Sequence, residues 1–205
     1  MLPSPWGTAR IIPLLVIDQA EDVLPVTEAL AEGGIKVFEI GLRTPAAIEA
    51  IKLAVRSGVG TVAAGTITSA AQLRQVIDAG AEFGVSPALT PSLSEAVVDN
   101  KFPFIPGIGS VSEALAALEA GFSHQKLYPA DLLGAEKFAK SLASVLPEIS
   151  LMPSGGVGEH NLQTYLSQPN VFAVSGSWLA PQALVAERRF DEIRDRAREA
   201  LELVP

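Results

Sequence analysis

The chain of 205 residues contains no cysteine. Disulfide bonds and thiolate chemistry are therefore excluded, and the absence suits a reducing compartment. Histidine is nearly absent too. His124 and His160 are the only two, and a histidine-based zinc or metal-aldolase site is hard to build from them. Carboxylate-held Mg²⁺ stays open. No apolar run approaches the ~18 to 20 residues of a membrane span. The opening Met1-Leu2-Pro3-Ser4-Pro5-Trp6-Gly7 has neither the length nor the basic start of a secretory signal, so a cytoplasmic location is expected. Basic residues are outnumbered, 15 against 23 acidic, for a net charge of −8. That balance argues against nucleic acid or an anionic membrane as partner. It leaves room for a small anionic substrate held by a local site.

What is present is apolar sequence in short runs: 48% of residues are hydrophobic. The length fits a single domain, 1–205, with one large core. A pattern repeats along it, in which a helix-like segment ends at Ala-Gly or Gly-Gly and a short apolar strand follows. Ala29–Ile40, Val76–Val85 and Ala117–Leu127 all show it. Glycine just past a helix end accepts a left-handed backbone without steric cost. Strands are predicted at Ile11–Val16, Val37–Gly41, Thr61–Gly65, Phe83–Val85, Phe104–Gly107, Gln125–Tyr128, Ser150–Pro153 and Phe172–Ser175. Helical spacing lies between them, as in Leu24, Val26 and Leu30 or Leu73, Val76 and Ile77. Ser110 and Glu113 read as a capping box, Thr68 or Ser69 as the cap of an earlier helix, and Phe190–Leu203 as a last, half-solvated helix. Strands alternating with helices imply a parallel α/β sheet, and eight of them suffice to close a (β/α)8 TIM barrel. The alternative is an open doubly wound sheet, but no G-x-G-x-x-G follows the first strand.

In such barrels chemistry sits at the carboxyl ends of the strands. The polar residues there are Glu39, Arg43, Thr66, Ser86, Lys126 and Ser154. Lys126 stands out, within Gln125-Lys126-Leu127-Tyr128-Pro129. An ammonium is costly to bury among apolar neighbours, and an amine freed of its proton condenses with a carbonyl to form a Schiff base. Strand side chains alternate faces. Glu39, Gly41 and Arg43 share one parity, as do Lys126 and Tyr128, while Phe38, Ile40 and Leu127 point the other way. The second and sixth strands of an eight-stranded barrel lie across from each other, so Glu39 and Lys126 can meet at its centre.

Two glycine-bearing loops end the last two strands, Pro153-Ser154-Gly155-Gly156-Val157-Gly158 and Ser175-Gly176-Ser177-Trp178. Loops in these positions hold phosphate through backbone N–H groups, which lets an acidic protein bind an anion. His124 falls at the far end of its strand from the expected site, and His160 near a helix start. Neither is expected to act in catalysis. Trp6 is expected against the barrel bottom and Trp178 packed beside the second loop.

These motifs run in order over almost the whole chain: Phe38-Glu39-Ile40-Gly41-Leu42-Arg43-Thr44, Ala64-Gly65-Thr66, Val85-Ser86-Pro87-Ala88-Leu89-Thr90, Ile105-Pro106-Gly107, Lys126-Leu127-Tyr128-Pro129-Ala130, Pro153-Ser154-Gly155-Gly156 and Gly176-Ser177-Trp178. Together they resemble the 2-keto-3-deoxy-6-phosphogluconate aldolases, class I aldolases of the Entner–Doudoroff pathway. The resemblance implies a Schiff base on Lys126, with Glu39 as general acid and base. Arg43 and Thr66 would hold the pyruvate carboxylate, and Pro87 and Tyr128 would line the pocket. Ser154, Gly155, Gly156, Gly176 and Ser177 would hold the far end of the substrate and its phosphate. It further implies a homotrimer and no metal or cofactor. Ser154 stands where the family usually has Thr, Ala88 where Gly is usual, Tyr128 where Phe is usual, and Gly109-Ser110 where Ser-Thr is usual. The Leu-Arg-Thr motif argues against the galactonate-specific relatives and leaves 4-hydroxy-2-oxoglutarate open as a second substrate. Two other readings compete: a metal-free sugar-phosphate isomerase or synthase with Glu39 as base and no Schiff base, and a non-catalytic phosphosugar-binding barrel.

Overall fold

The computed structural model describes residues 4–205. Its strands are β1 (Ile11–Leu15), β2 (Val37–Gly41), β3 (Thr61–Gly65), β4 (Phe83–Val85), β5 (Phe104–Ile105), β6 (Gly107–Ile108), β7 (His124–Leu127), β8 (Ser150–Pro153) and β9 (Val174–Gly176). The helices are α1 (Val23–Glu32), α2 (Ala47–Ser57), α3 (Ala70–Asp78), α4 (Pro91–Asp99), α5 (Val111–Glu119), α6 (Ala130–Leu133), α7 (Ala135–Val145), α8 (Glu159–Leu166), α9 (Gln182–Ala186) and α10 (Phe190–Glu202). None of the described helices is long and apolar enough to cross a membrane.

Every strand pair is parallel. One sheet has the order β5-β4-β3-β2-β1-β9, the other β6-β7-β8. The predicted fifth strand, 104–107, is split at Pro106, which has no N–H to give a ladder. Its carbonyl still accepts from the Lys126 N–H at 2.8 Å. On the other side, single parallel bridges Leu151↔Val171 and Ser154↔Ser175 tie β8 to the chain around β9. The predicted eighth strand, 172–175, forms its ladder two residues later. Phe172 gives its N–H to Leu151, on β8, while Val174 and the residues after it pair with β1. The sixth predicted strand starts one residue earlier, at His124, and ends at Leu127.

Two apolar clusters lie on the two faces of the strands. The larger joins strand residues such as Phe38, Ile40 and Leu127 to the helices. The smaller is interior: Trp6, Ile12, Ala63, Phe83, Val85, Ile105, Met152 and Ala173. Near-continuous burial on both faces is what a parallel sheet covered by helices demands, and the alternation read from the sequence places Glu39 and Lys126 on the interior side. Helix starts follow their side-chain caps. Ser69 accepts from the Gln72 N–H and Ser110 from the Glu113 N–H, each at 3.2 Å. The Glu113 carboxylate reaches back one residue further than a capping box requires, to the Gly109 N–H at 2.7 Å. The β6–α5 turn is thereby pinned.

Candidate active site

Glu39 and Lys126, 87 residues apart in sequence, meet inside the molecule. Lys126 Nζ lies 3.0 Å from Glu39 Oε1 and 3.4 Å from Oε2. Glu39 is fully buried and Lys126 is 4% exposed. Removing two charges from water costs several kcal/mol per ion and is only partly offset by their attraction. A hydrophobic pair of the same volume would serve stability as well, so this arrangement points to chemistry. It follows directly from strand parity and register. Glu39 pairs with Ala63 on one side and Leu14 on the other, and Lys126 pairs with Gly107 and Met152.

Two features missed by the sequence reading complete the carboxylate's surroundings. Ser175, buried on β9, donates its hydroxyl to Glu39 Oε2 at 2.9 Å. Gly65, at the end of β3, makes room for the same side chain. A methyl group there would fall 2.6 Å from Glu39 Cγ and 2.8 Å from Cδ, well inside van der Waals contact. Both depend on how neighbouring strands are staggered. Hydroxyls and glycines at strand ends are too common for a single sequence to single these out.

The other residues named from the sequence spread around the carboxyl ends of the strands. Arg43, exposed beyond β2, donates Nε to Thr66 Oγ1 at 3.2 Å. Among the described residues its guanidinium pairs with no carboxylate. Thr66 has φ +60°. A β-branched side chain rarely enters this left-handed region, and such outliers gather where a loop is held for a purpose. The Tyr128 ring stands 5.9 Å from Lys126 Nζ. The Pro87 carbonyl lies against Gly107, the ladder partner of Lys126, with the Ala88 nitrogen 2.6 Å from where a Gly107 methyl would be. Ser86, also named, is fully buried, and its hydroxyl accepts from the Gly107 N–H at 3.2 Å. It supports the β5–β6 break from outside.

Ser154, Gly155 and Gly156 follow β8, and Gly176 and Ser177 end β9, side by side through the Ser154↔Ser175 bridge. Gly155 and Gly156 have φ +90° and +78°. A methyl on Gly155 would press the Tyr128 ring at 3.1 Å, and one on Gly156 would collide with Asp131. Asn161, on α8, accepts from the Gly158 N–H at 3.0 Å and donates to the Gly156 carbonyl at 2.8 Å. Among the described residues the Gly155 and Gly156 N–H groups donate to no other protein group. The loop thus presents free donors beside the amino end of a helix, which suits an anion. Trp178 packs over Gly176.

The histidines lie apart from this cluster. His124 opens β7 at its amino end, tilted against Trp6 and edge-on to Phe172 with ring centroids 5.2 and 4.8 Å away. Trp6 also meets Phe83 edge-on, which is the bottom packing the sequence suggested. His160 sits in the first turn of α8. Among the described residues no group of three or more histidines and acidic side chains has the arrangement of a metal site.

The model of the KDPG and KHG aldolase family matches residues 4–196. The chain is 39% identical over 197 residues to the 2-dehydro-3-deoxy-phosphogluconate aldolase of Pseudoalteromonas atlantica, covering 96% of this chain and 92% of that one. It is 35% identical over 196 residues to the KHG/KDPG aldolase of Escherichia coli K12, covering 95% and 92%. Among solved structures it is similar to the KDPG aldolase of Legionella pneumophila, captured with pyruvate as a covalent carbinolamine. That likeness has a TM-score of 0.92 at 36% identity and covers 94% of both chains.

Proposed function

The chain belongs to the KDPG and KHG aldolase family, and we propose how its own residues carry out a Schiff-base aldol cleavage. The substrate is 2-keto-3-deoxy-6-phosphogluconate and the products are pyruvate and glyceraldehyde 3-phosphate. The observation that carries this reading is the buried Lys126 amine 3.0 Å from the Glu39 carboxylate.

Lys126 adds to the keto carbon, and the carbinolamine loses water to give an iminium. The iminium is an electron sink adjacent to C3. Glu39 takes the C4 hydroxyl proton, the C3–C4 bond breaks, and glyceraldehyde 3-phosphate leaves. The same carboxylic acid returns a proton to C3 of the enamine, and water releases pyruvate from Lys126. One group serves as base and then as acid, which is why a single carboxylate suffices. Arg43 and Thr66 hold the substrate carboxylate, and the arginine's having no carboxylate partner among the described residues supports that role. Pro87 and Tyr128 wall the pocket. Ser154, Gly155, Gly156, Gly176 and Ser177 receive the phosphate. 4-Hydroxy-2-oxoglutarate presents the same keto acid and C4 hydroxyl, and it would yield pyruvate and glyoxylate.

At the level of architecture, the reading is a single (β/α)8 barrel domain. Two features support it: β5 runs into β6 through Pro106, and the 151–171 and 154–175 bridges join β8 to β9. The assembly is a homotrimer in the cytoplasm. Val98 on α4 and Val111 and Leu115 on α5 are exposed apolar residues, which supports association with further copies.

Borohydride reduction in the presence of pyruvate should fix a pyruvate-derived mass increment on Lys126, located by peptide mapping. Lys126→Met should give no increment and no turnover. Turnover without trapping in the wild type would replace this mechanism with a base-only isomerase or synthase.

A further inference from the structure

We propose that Ser175 is a positioning residue for the Glu39 carboxylate, fixing Oε2 so that Oε1 stays aimed at the Lys126 nitrogen throughout the cycle. Ser175 is fully buried, two residues past Ala173 of the interior apolar cluster and so on the same strand face. It is the ladder partner of Ile12 on β1, and β1 lies between β9 and β2. A hydroxyl in such surroundings is costly unless hydrogen-bonded. Its bond to Glu39 Oε2, 2.9 Å, is the one hydrogen bond it makes among the described residues.

The two oxygens of Glu39 are therefore held unequally. Oε1 is nearer the amine, 3.0 against 3.4 Å, and Oε2 takes the serine hydroxyl as its shorter bond. Gly65, which has no side chain to donate, packs against the same carboxylate. The two donors also differ in what the reaction does to them. Lys126 becomes carbinolamine, iminium and enamine in turn, and its N–H donors change at each stage. Ser175 takes no part in bond making. Once Lys126 is covalently engaged, Ser175 is the fixed donor left on the carboxylate among the described residues, so it keeps the base where the C4 proton and later C3 must be reached.

This inference rests on the aldolase reading above, and its test separates the two. The split between kcat and KM reads a positioning role, which acts on the base rather than on substrate binding. Ser175→Ala should lower kcat by roughly tenfold at neutral pH and leave KM within about twofold. Ser175→Thr keeps a hydroxyl on the same strand face and should regain most of the lost kcat. A serine that merely filled space would leave kcat in place in the alanine variant. Ser175→Gly removes the same hydroxyl and needs no side-chain room, so it reads kcat if the alanine variant does not fold. Pyruvate trapping on Lys126 is measured in parallel. Failure of trapping in the wild type defeats the aldolase reading, and this inference with it. Trapping intact in every protein, with kcat of the alanine and glycine variants within about threefold of wild type, overturns the role of Ser175 alone.

Discussion

Glu39 and Gly65 lie on adjacent strands two positions apart in register, since Glu39 pairs with Ala63 and Gly41 with Gly65. The carboxylate leans along its strand toward the mouth and occupies the space a side chain at 65 would take. Gly65→Ala should therefore push Glu39 off Ser175 and away from Lys126. A displacement on the order of 1 Å in a reacting group costs about 10²-fold in rate, so kcat/KM should fall by roughly that factor. The far-UV circular dichroism should be unchanged, because Gly65 is the last residue of its strand and alanine keeps the backbone groups its ladder uses. Activity within threefold of wild type would mean that Glu39 has another productive position. Thr66 follows at once with its left-handed φ, and its hydroxyl accepts from Arg43. Two consecutive residues at the end of β3 thus act on two different side chains. One clears space for Glu39, and the other accepts from Arg43.

The β8–α8 loop works as an element rather than as separate residues. Gly155 and Gly156 both hold positive φ, and Asn161 ties Gly156 and Gly158 to the first turn of α8. Gly156→Ala combines a strained backbone with a collision against Asp131. It should spread the donors and raise KM for the phosphorylated substrate by about tenfold or more, the cost of one or two charge-assisted hydrogen bonds. The rate of pyruvate trapping on Lys126, which needs no phosphate, should stay within about twofold. Equal losses in both measurements would remove the phosphate from this loop. Elements of this kind were only partly legible in the sequence. Strand cores stood out because their short apolar runs sit between glycine-terminated helices, and parity alone put Glu39 and Lys126 inside. The break at Pro106 was foreseeable from the missing N–H, yet the run around it is as apolar as any other strand. The strand before β9 misled because Phe172 and Ala173 carry strand-like side chains while their backbone leaves β8 to join β1. Ser175 stayed hidden for a related reason: its partner is set by two strand registers, and no local pattern encodes them.

Across the whole molecule, the interior is layered along its axis. Trp6, His124, Phe172 and Phe83 pack at the amino ends of the strands. Apolar side chains including Ile12, Ala63 and Met152 also fill the interior, and the Glu39–Lys126 pair is buried with them. His124 and Lys126 share a strand face two residues apart, so the strand's first residue plugs the interior while its third meets Glu39. The plug carries its own pH dependence. Burial pushes the proton affinity of His124 below the usual value of 6.5, so the folded protein keeps the ring neutral where the unfolded chain would protonate it. Between the folded pKa and 6.5 the unfolded state binds more protons, so stability rises with pH. The contribution is complete above about pH 6.5 and is lost as pH falls through the window beneath it. His124→Phe keeps an aromatic ring against Trp6 and removes the titration. Urea midpoints measured from pH 7.5 down to 5 should fall less steeply in the variant than in the wild type, with kcat at pH 7.5 unchanged within about twofold. Parallel slopes would show that the ring is as free to protonate in the folded chain as in the unfolded one. A matched loss of kcat would show that the two ends of the interior are coupled through β7 rather than insulated by the apolar side chains between them.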